Sequence, residues 1–325
     1  MRRRQFIALL GGAATTWPLA ARAQEAGRTY RLGMLFPAPR EEETAIAALS
    51  DELRRRGFIE DQNLAIEYRA WAPHLDLISD YMTELLKSHP DVIAAGGPQA
   101  VRAAQQATKT IPILAITDDM VGEGFVSSMA RPNGNTTGVS ILATELDGKR
   151  QEVLTEAIPG LRRMAVLADF NSTAVEQLDE LQNAARARNT ELSIHRIAKG
   201  EEIPAAIEAA KSLGDTAINV LASPMLYSNR QIIFQQVAAL HLPAIYQFAE
   251  MAEEGGLLAY GPRFSQIIRD IYVRQLVQLF RGAKVTDIPV EQPTKFELVI
   301  NLRTAKTLGL NITEAFLQRA DKVIE

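Results

Sequence analysis

The sequence contains no cysteine, and only 6% of its residues are aromatic. The missing cysteine excludes disulfide bonds, thiolate nucleophiles, cysteine-ligated metals and the acylated cysteine that anchors an exported lipoprotein. No segment approaches the run of about eighteen apolar residues that a membrane-spanning helix needs. The formal net charge of −4 argues against a nucleic acid partner. We therefore expect a chain that is not membrane-embedded and does not bind nucleic acid.

The motifs of common enzymes are absent as well. The sequence has no G-x-S-x-G elbow, no Walker loop, no G-x-G-x-x-G after its first predicted strand and no H-E-x-x-H. None of its histidines pairs with another at metal-ligand spacing. Ser223 ends a predicted strand, where nucleophiles occur, but it lacks a flanking glycine and a nearby histidine, so hydroxyl hydrogen bonding is the better interpretation. We expect no catalytic residue, metal or cofactor.

Residues 1–23 have the organisation of an export signal peptide. Arg2-Arg3-Arg4 precede an apolar stretch that continues through small residues, and Ala21-Arg22-Ala23 has the small-x-small form of a cleavage site. The pair Arg3-Arg4 also fits a twin-arginine signal, and an ordinary Sec signal is the alternative. Because no cysteine is available for a lipid anchor, we expect the mature chain to be free in the periplasm.

The rest of the chain alternates short apolar strands with amphipathic helices, which predicts α/β units with parallel sheets covered on both faces. A chain of 325 residues is long enough for two such units. We place lobe 1 at residues 29–142, with a returning segment near 262–288. Lobe 2 is placed at residues 143–261, with part of 289–325 near the hinge.

Hydrophobic periodicity gives the individual elements. The predicted strands cover residues 30–35, 64–68, 92–95, 113–116, 138–141, 164–168, 192–197, 217–221, 244–246, 257–260 and 296–300. The predicted helices include residues 41–56, 75–88, 146–158, 202–213, 228–241 and 265–280. Thr173 and Glu176 have the spacing of a capping box at the start of a further helix.

The turn at Gly96-Gly97-Pro98 follows a predicted strand and precedes a helical segment from Gln99. The glycines remove side-chain obstruction, Pro98 suits a first helical position, and the helix N-terminus carries about half a positive charge. An anion fits such a turn, most simply a small carboxylate. An equally good interpretation is that the turn only redirects the chain at the edge of a sheet.

Similar strand-end turns occur in both predicted lobes and carry groups that bind ligands. Because the carboxyl ends of parallel strands face a common crevice, we expect these turns to meet across a cleft. The ordinary composition of turns explains many of the polar residues, but not the aromatic ones. The candidate ligand-binding residues are Phe36, Trp71, Gly97, Pro98, Gln99, Thr117, Asp118, Asp119, Asp169, Asn171, Ser223, Tyr227, Tyr246 and Phe248.

Several motifs, in their order along the chain, resemble one known family. They are Arg31-Leu32-Gly33, Asp91 to Gly97, Ala130 to Ser140, Leu242 to Tyr246, Gly255-Gly256-Leu257, Tyr260-Gly261-Pro262, Gln292 to Asn301, Thr304-Ala305-Lys306 and Leu308-Gly309-Leu310. Together they resemble the ABC transporter substrate-binding family that includes tryptophan- and tyrosine-binding members. The resemblance extends over nearly all of residues 30–325.

This resemblance implies a type I periplasmic binding protein fold, with two doubly wound βα lobes, three crossings between them and a hinged cleft. It implies no enzymatic activity, and a cleft lined by the turns at residues 97–99, 117–119, 169–171 and 223–227. The sequence departs from the commoner pattern at Met120, where many relatives have proline, and at Ser223, where many have aspartate. Both positions lie at the expected cleft, so the ligand of characterised members does not transfer directly.

The expected function is capture of a small ligand by hinge closure, followed by delivery to the permease and ATPase subunits of an ABC importer. We expect an amino acid or another carboxylate, aromatic ligands included. The amides near Gly97 to Gln99 would hold the carboxylate of the ligand. An amine would contact Asp118, Asp119 or Asp169, and the apolar part would pack on Trp71, Tyr227 or Phe248. We expect a monomer. The alternative function is presentation of the ligand to a membrane receptor or sensor, without transport.

Overall fold

The computed structural model describes residues 27–40, 44–72 and 74–325. The predicted export signal lies outside the described residues. Within them the chain forms two α/β lobes built on largely parallel sheets, which confirms the expected fold class. No helix in this part of the chain is long and apolar enough to cross a membrane.

Five strands form the first sheet: β1 (Tyr30–Phe36), β2 (Leu64–Ala70), β3 (Val92–Gly96), β4 (Ile113–Thr117) and β5 (Thr136–Ser140). All neighbouring strands are parallel, in the order β2-β1-β3-β4-β5. Ala94 and Leu114 belong to the hydrophobic cluster on one face, and Ile93 and Ala115 to the cluster on the other. Burial of both faces explains why these strands are almost continuously apolar.

Three helices connect the strands of this sheet: α1 (Thr44–Arg55), α2 (Ile78–Lys87) and α3 (Pro98–Ala107). Helices α2 and α3 pack against each other on one face, while α1 packs on the other face beside a helical segment from later in the chain. Helix α1 carries Arg54 and Arg55 in its last turn, and Gly57 follows with a φ of 88°. Cations and a left-handed glycine both favour a helix end at this place.

Seven strands form the second sheet: β6 (Arg163–Asp169), β7 (Glu191–Ile197), β8 (Ile218–Val220), β9 (Ala244–Tyr246), β10 (Leu258–Gly261), β11 (Glu297–Asn301) and β12 (Lys322–Ile324). Their order is β12-β11-β10-β9-β8-β6-β7. Only the β10–β11 pair is antiparallel among the described strands of this sheet. The second sheet therefore departs from the all-parallel arrangement of the first.

Ten further helices follow α3. They are α4 (Asp147–Ala157), α5 (Val175–Ala187), α6 (Ile203–Ser212), α7 (Pro224–Ser228), α8 (Arg230–Ala239), α9 (Ala249–Glu253), α10 (Phe264–Ile267), α11 (Val273–Phe280), α12 (Leu302–Thr307) and α13 (Glu314–Leu317). A π-helical turn (Ile268–Tyr272) joins α10 to α11. These two helices belong to the segment that packs beside α1.

The chain passes between the two sheets three times. After β5 it continues through Ala143 to α4, which packs on the second sheet. After β10 it returns, and the Tyr272 hydroxyl donates to the Leu114 carbonyl of β4 at 2.9 Å. Residues 285–291 run beside β5 before the chain enters β11. We call residues 27–142 and 262–291 the first lobe, and residues 143–261 and 292–325 the second lobe. Both names refer to the described residues only.

The second lobe differs from the prediction in several places, and its short helices α7, α9, α12 and α13 were not predicted. Helix α5 begins at Val175 after Ala174 and has no side-chain cap, so the capping box predicted at Thr173 and Glu176 is wrong. Glu176 is the second residue of the helix, whereas a capping box needs the third. The helix predicted at 228–241 is observed as α8 and begins two residues later, at Arg230, because Ser228 ends the separate short helix α7. Strand β12 has only three residues, too few for a periodic pattern to predict it.

Candidate ligand-binding cleft

A cavity of about 530 Å³ lies between the two lobes. The turns after β1, β3 and β4 line it from the first lobe, together with one face of α1. The turns after β6, β8 and β9 line it from the second lobe. These turns all follow the carboxyl ends of parallel strands, the place where open α/β sheets bind ligands. The volume is within the usual range for small-molecule sites.

Most of the predicted site residues meet in this cavity. Trp71 and Asp169 instead line a second, smaller cavity beside it. Tyr246 lines neither of the two. Those that line the main cavity are Phe36, Gly97, Pro98, Gln99, Thr117, Asp118, Asp119, Asn171, Ser223, Tyr227 and Phe248.

Tyr246 belongs to the core of the second lobe. Its side chain is completely buried, and its ring packs edge to face on Phe234 with ring centroids 5.0 Å apart. The ring also occupies the space where a side chain on Gly256 would stand. Tyr246 is the last residue of β9 and is still part of the strand. The residues that line the cavity, Gln247 and Phe248, come after the strand has ended. The placement of Tyr246 in the cleft is therefore corrected.

Three aromatic rings from both lobes form a cluster at the main cavity. Tyr227 and Phe248 have ring centroids 5.3 Å apart, and Phe264 lies 5.7 Å from the first and 4.9 Å from the second. Such tilted and edge-to-face rings add to the energy of apolar burial. Phe264 was missed because helical periodicity in its segment does not tell which face meets a cleft. The predicted aromatic wall therefore exists, with Phe264 in place of Trp71.

The Gly97 turn has a geometry that only glycine adopts without strain. Gly97 has a φ of 84°, and its N–H donates to the Ile116 carbonyl at 2.9 Å. Pro98 begins α3 and has no N–H, so the amides that remain in the first helical turn are those of Gln99 and Ala100. The side-chain oxygen Oε1 of Gln99 is buried and has no hydrogen-bond partner among the described residues. The turn thus offers backbone donors to the cavity, whereas Oε1 of Gln99 is enclosed by protein atoms.

The two lobes come close together at this same turn. A Cβ atom at Gly97 would lie 3.5 Å from Cγ of Pro224 in the second lobe. It would also lie 3.2 Å from the Trp71 ring, whose Nε1 donates to the Gly96 carbonyl at 3.2 Å. Because Trp71 is held in this way, its ring forms a fixed wall behind Gly97 and does not reach the main cavity.

Asp118 lines the cavity, but its carboxylate is bonded to the first crossing. Oδ1 accepts hydrogen bonds from the amides of Ala143 at 2.6 Å and Thr144 at 3.2 Å, and Oδ2 accepts one from the Thr144 hydroxyl. Burial raises the pKa of the Asp118 carboxyl, although these hydrogen bonds and the charge of Arg150 oppose the rise. Asp118 therefore fastens the connection between the lobes to the end of β4.

Asp169 is similarly engaged within the second lobe. Its carboxylate accepts from the Asn171 amide at 2.9 Å, the Ser172 hydroxyl at 2.9 Å and the Ser223 hydroxyl at 2.7 Å. Ser223 Oγ in turn accepts from the amides of Met225 and Leu226 and caps α7. The expectation that the Ser223 hydroxyl acts through hydrogen bonding is confirmed. Among the described residues, no three His, Asp or Glu side chains form a cluster suited to a metal ion.

Asp119 and Glu123 bring carboxylates to the first-lobe wall. Asp119 Oδ1 accepts from the amides of Val121 at 3.1 Å and Gly122 at 2.9 Å. Glu123 Oε1 accepts from the Thr117 hydroxyl at 3.0 Å, and burial raises the pKa of the Glu123 carboxyl. Glu123 and Arg102 line the cavity but were not predicted. The sequence could have indicated these two residues only through their closeness to the turns at 97–99 and 117–119.

A buried ion pair lies behind the second-lobe wall. The Arg150 guanidinium is fully buried, bonds Asp147, and donates to the carbonyls of Ala143 at 2.6 Å and Tyr260 at 3.2 Å. Burial raises the pKa of Asp147, and the charge of Arg150 opposes this. Asp147 also accepts from the Gln177 side chain, which lines the cavity, at 2.5 Å. The pair thus contacts the first crossing at Ala143, strand β10 at Tyr260, and Gln177 of the cavity wall.

Comparisons with known proteins agree with this architecture. The family model described as ABC transporter substrate binding protein matches residues 42–324. A curated tyrosine-binding protein of Clostridioides difficile is 26% identical, over 82% of this chain and 75% of that protein.

Two crystal structures show the same fold. A conserved domain protein of Vibrio cholerae has a TM-score of 0.80 at 22% identity, covering 91% of this chain and 100% of that one. An ABC domain from Streptococcus pneumonia in complex with L-Trp has a TM-score of 0.77 at 21% identity, with coverage of 91% and 100%. Because the family model covers most of the sequence, this chain belongs to the ABC transporter substrate-binding protein family.

Proposed function

We propose that this protein is the extracytoplasmic solute-binding component of an ABC importer, which captures an amino acid or a related carboxylate between its lobes. The observation that carries the proposal is the cavity of about 530 Å³ whose walls come from both lobes and include a three-ring aromatic cluster. A tyrosine-binding relative and a structural neighbour solved with L-Trp make aromatic amino acids the first candidates.

The wall residues suggest which group of the ligand each would bind. The amides of Gln99 and Ala100 would hold a carboxylate, since they stand at the N-terminus of α3. Asp119 would face an amine through Oδ2, because both of its amide partners bond Oδ1, whereas both oxygens of Asp118 and of Asp169 accept hydrogen bonds. Glu123 would add a second carboxylate beside it. The Tyr227, Phe248 and Phe264 cluster would pack on the apolar part.

Closure of the lobes around the ligand is the proposed mechanism. Ligand contacts to both lobes favour a closed state over an open one by their differential affinity. The close approach of Gly97 and Pro224 supports this, because residues of both lobes meet there at the wall of the cavity. The crossings near Ala143 and Tyr260, joined through Arg150, would serve as the hinge.

The family and the predicted export signal support delivery of the ligand to permease and ATPase subunits. A monomer would leave both lobes free to dock. The second candidate function is presentation of the ligand to a membrane receptor or sensor without transport. Disruption of a neighbouring permease gene distinguishes the two. Uptake of the ligand is lost with the permease if the protein serves an importer, and unchanged if it serves a sensor.

The experiment that tests binding is calorimetry and thermal unfolding of the mature chain with L-tryptophan, L-tyrosine, L-phenylalanine, tryptamine and indole-3-propionate. A ligand present at a hundred times its dissociation constant adds about 2.7 kcal/mol of stability. We expect stabilisation by the amino acids and weaker effects from tryptamine, which lacks the carboxylate, and from indole-3-propionate, which lacks the amine. Small-angle scattering of the same samples should show a smaller radius of gyration with ligand. No stabilisation by any amino acid or carboxylate refutes the proposal.

A further inference from the structure

Three side-chain amides of the second lobe line the main cavity, those of Asn171, Gln177 and Gln247. Each of them donates its NH₂ group to another part of the second lobe. Nε2 of Gln177 donates to the Asp147 carboxylate at 2.5 Å, and Nε2 of Gln247 donates to the Ser223 carbonyl at 3.3 Å. Nδ2 of Asn171 donates to a backbone carbonyl just after β7 at 3.1 Å. All three amides are therefore fixed by hydrogen bonds within the protein.

The partners of Gln177 and Gln247 decide which end of each amide remains for a ligand. Asp147 is paired with the buried guanidinium of Arg150, so its carboxylate accepts hydrogen bonds. The Ser223 carbonyl can only accept. Each glutamine must therefore present its NH₂ group to its partner, and its carbonyl oxygen Oε1 is left over. Neither Oε1 atom has a hydrogen-bond partner among the described residues, and neither is enclosed by protein atoms.

The two glutamines are held at one small region of the cavity wall. Asp147, which holds Gln177, accepts a hydrogen bond from the Ala222 amide at 3.2 Å. Gln247 is held by Ser223, the next residue along the chain. Both glutamines are thus anchored to the turn between β8 and α7. Through their oxygens they offer the cavity hydrogen-bond acceptors only.

A wall of acceptors selects a ligand group that carries only donors. A primary ammonium group has three N–H donors and no acceptor, and each N–H that leaves water needs a new partner. Oδ2 of Asp119, on the first-lobe wall, is a further acceptor without a partner among the described residues. Its negative charge favours an ammonium over a neutral N–H group. A hydroxyl suits the glutamines less, because its lone pairs would find no donor on their oxygens.

We infer that Gln177 and Gln247 bind the ammonium group of the ligand through their carbonyl oxygens, together with Asp119 of the first lobe, and that the protein thereby selects primary amines. This rests on the proposed function, because it requires an amino acid in the main cavity. The ammonium group contacts both lobes in this arrangement. Recognition of the amine and closure of the lobes are then favoured by the same contacts.

The test is calorimetry with two pairs of ligands that differ only by the ammonium group. One pair is L-phenylalanine and 3-phenylpropionate, and the other is L-tryptophan and indole-3-propionate. The wild-type mature chain is compared with Gln177→Leu, and with Gln247→Leu, which removes the second oxygen if Gln177→Leu fails to fold. Gln151→Leu is the matched control. Gln151 is a buried glutamine of the second lobe that donates to the Leu181 carbonyl at 3.2 Å and lines neither cavity.

We expect the wild-type chain to bind each amino acid about tenfold more tightly than the ligand without the amine, because hydrogen bonds to a charged group are strong. Gln177→Leu and Gln247→Leu should each weaken binding of the amino acids about tenfold and leave binding of the amine-free ligands nearly unchanged. A purely structural loss would weaken both members of a pair alike. Gln151→Leu should leave the ratio of affinities within each pair as it is in the wild type.

Two results would overturn the inference and leave the proposed function standing. In the first, the wild type does not distinguish the members of a pair, or the glutamine variants weaken both members equally or neither. In the second, the variants weaken both indole ligands and leave L-phenylalanine unchanged, which means that the oxygens accept the indole N–H. If no probe binds the wild-type chain, the inference and the proposed function fail together.

Discussion

The two lobes contribute to the main cavity in different ways. The second-lobe turns have polar groups that already bond one another, as Asp169 does with Ser172 and Ser223, and offer aromatic rings to the cavity. The first-lobe turns place the carboxylates of Asp119 and Glu123 on the wall, and both amide bonds to Asp119 go to Oδ1, which leaves Oδ2 for a ligand. The difference suggests that the second lobe provides a rigid surface, while electrostatic recognition depends on the first.

The largest effect is expected from loss of the ion pair that stiffens the second-lobe wall. Arg150→Met leaves the buried Asp147 carboxylate without its cation and should lower the free energy of unfolding by about 3–5 kcal/mol. Urea denaturation measures this. Because the two residues act as a pair, the double variant Arg150→Met, Asp147→Leu should recover part of the loss. A single variant as stable as the wild type would show that the second lobe does not depend on this pair.

Truncation of the aromatic cluster should affect both stability and binding. Phe248→Ala removes a ring that is only 5% exposed and contacts Tyr227 and Phe264, so we expect a loss of about 3 kcal/mol in unfolding free energy. The variant should also lose most of the ligand-induced rise in melting temperature. Phe248→Leu, which keeps the apolar volume, should retain more of both. If Phe248→Ala binds the ligand as tightly as the wild type does, the aromatic cluster does not contribute to ligand binding.

A pair of substitutions separates the roles of the two lobes. Ser223→Ala removes the cap of α7 and a partner of Asp169, and should cost about 1 kcal/mol of unfolding free energy. Gln99→Leu removes an unpartnered acceptor, so it should leave the stability of the ligand-free protein unchanged or slightly higher and weaken ligand binding about tenfold. Chemical denaturation and calorimetry on both variants measure these effects. The contrast between the lobes fails if Gln99→Leu loses stability and keeps its affinity.

The smallest expected effect is a pH-dependent one at Glu123. Burial raises the pKa of this carboxyl, so the folded state holds its proton more tightly than the unfolded state, and the associated stability is present at low pH and lost as pH rises through the folded pKa. Glu123→Gln should therefore melt slightly higher than the wild type at pH 7, with the difference shrinking toward pH 4. Affinity for an amine-bearing ligand should fall in the same variant. A difference that grows on acidification would contradict this sign.

Periodicity and turn composition predicted most of the fold, because strands such as β3 and helices such as α3 follow from local patterns of apolar residues, glycine and proline. The same reasoning placed most of the cavity-lining turns. It could not tell which polar atoms of these turns already have hydrogen-bond partners. Asp118 bonds Ala143, 25 positions away in the sequence, and Asp169 bonds Ser223, 54 positions away. It also could not orient Tyr246 or Phe264, whose surroundings depend on packing between elements.

Arg150 joins the first crossing, at Ala143, to the end of β10, at Tyr260, where the second crossing begins. One guanidinium binds the carbonyl oxygens of Ala143 and Tyr260, so the distance between these two backbone strands is set by a rigid planar group. A sliding motion of one strand along the other would break at least one of these hydrogen bonds inside the protein. A bending motion about an axis through both carbonyls would break neither, so the closure proposed above would cost least if the chain bends at this place.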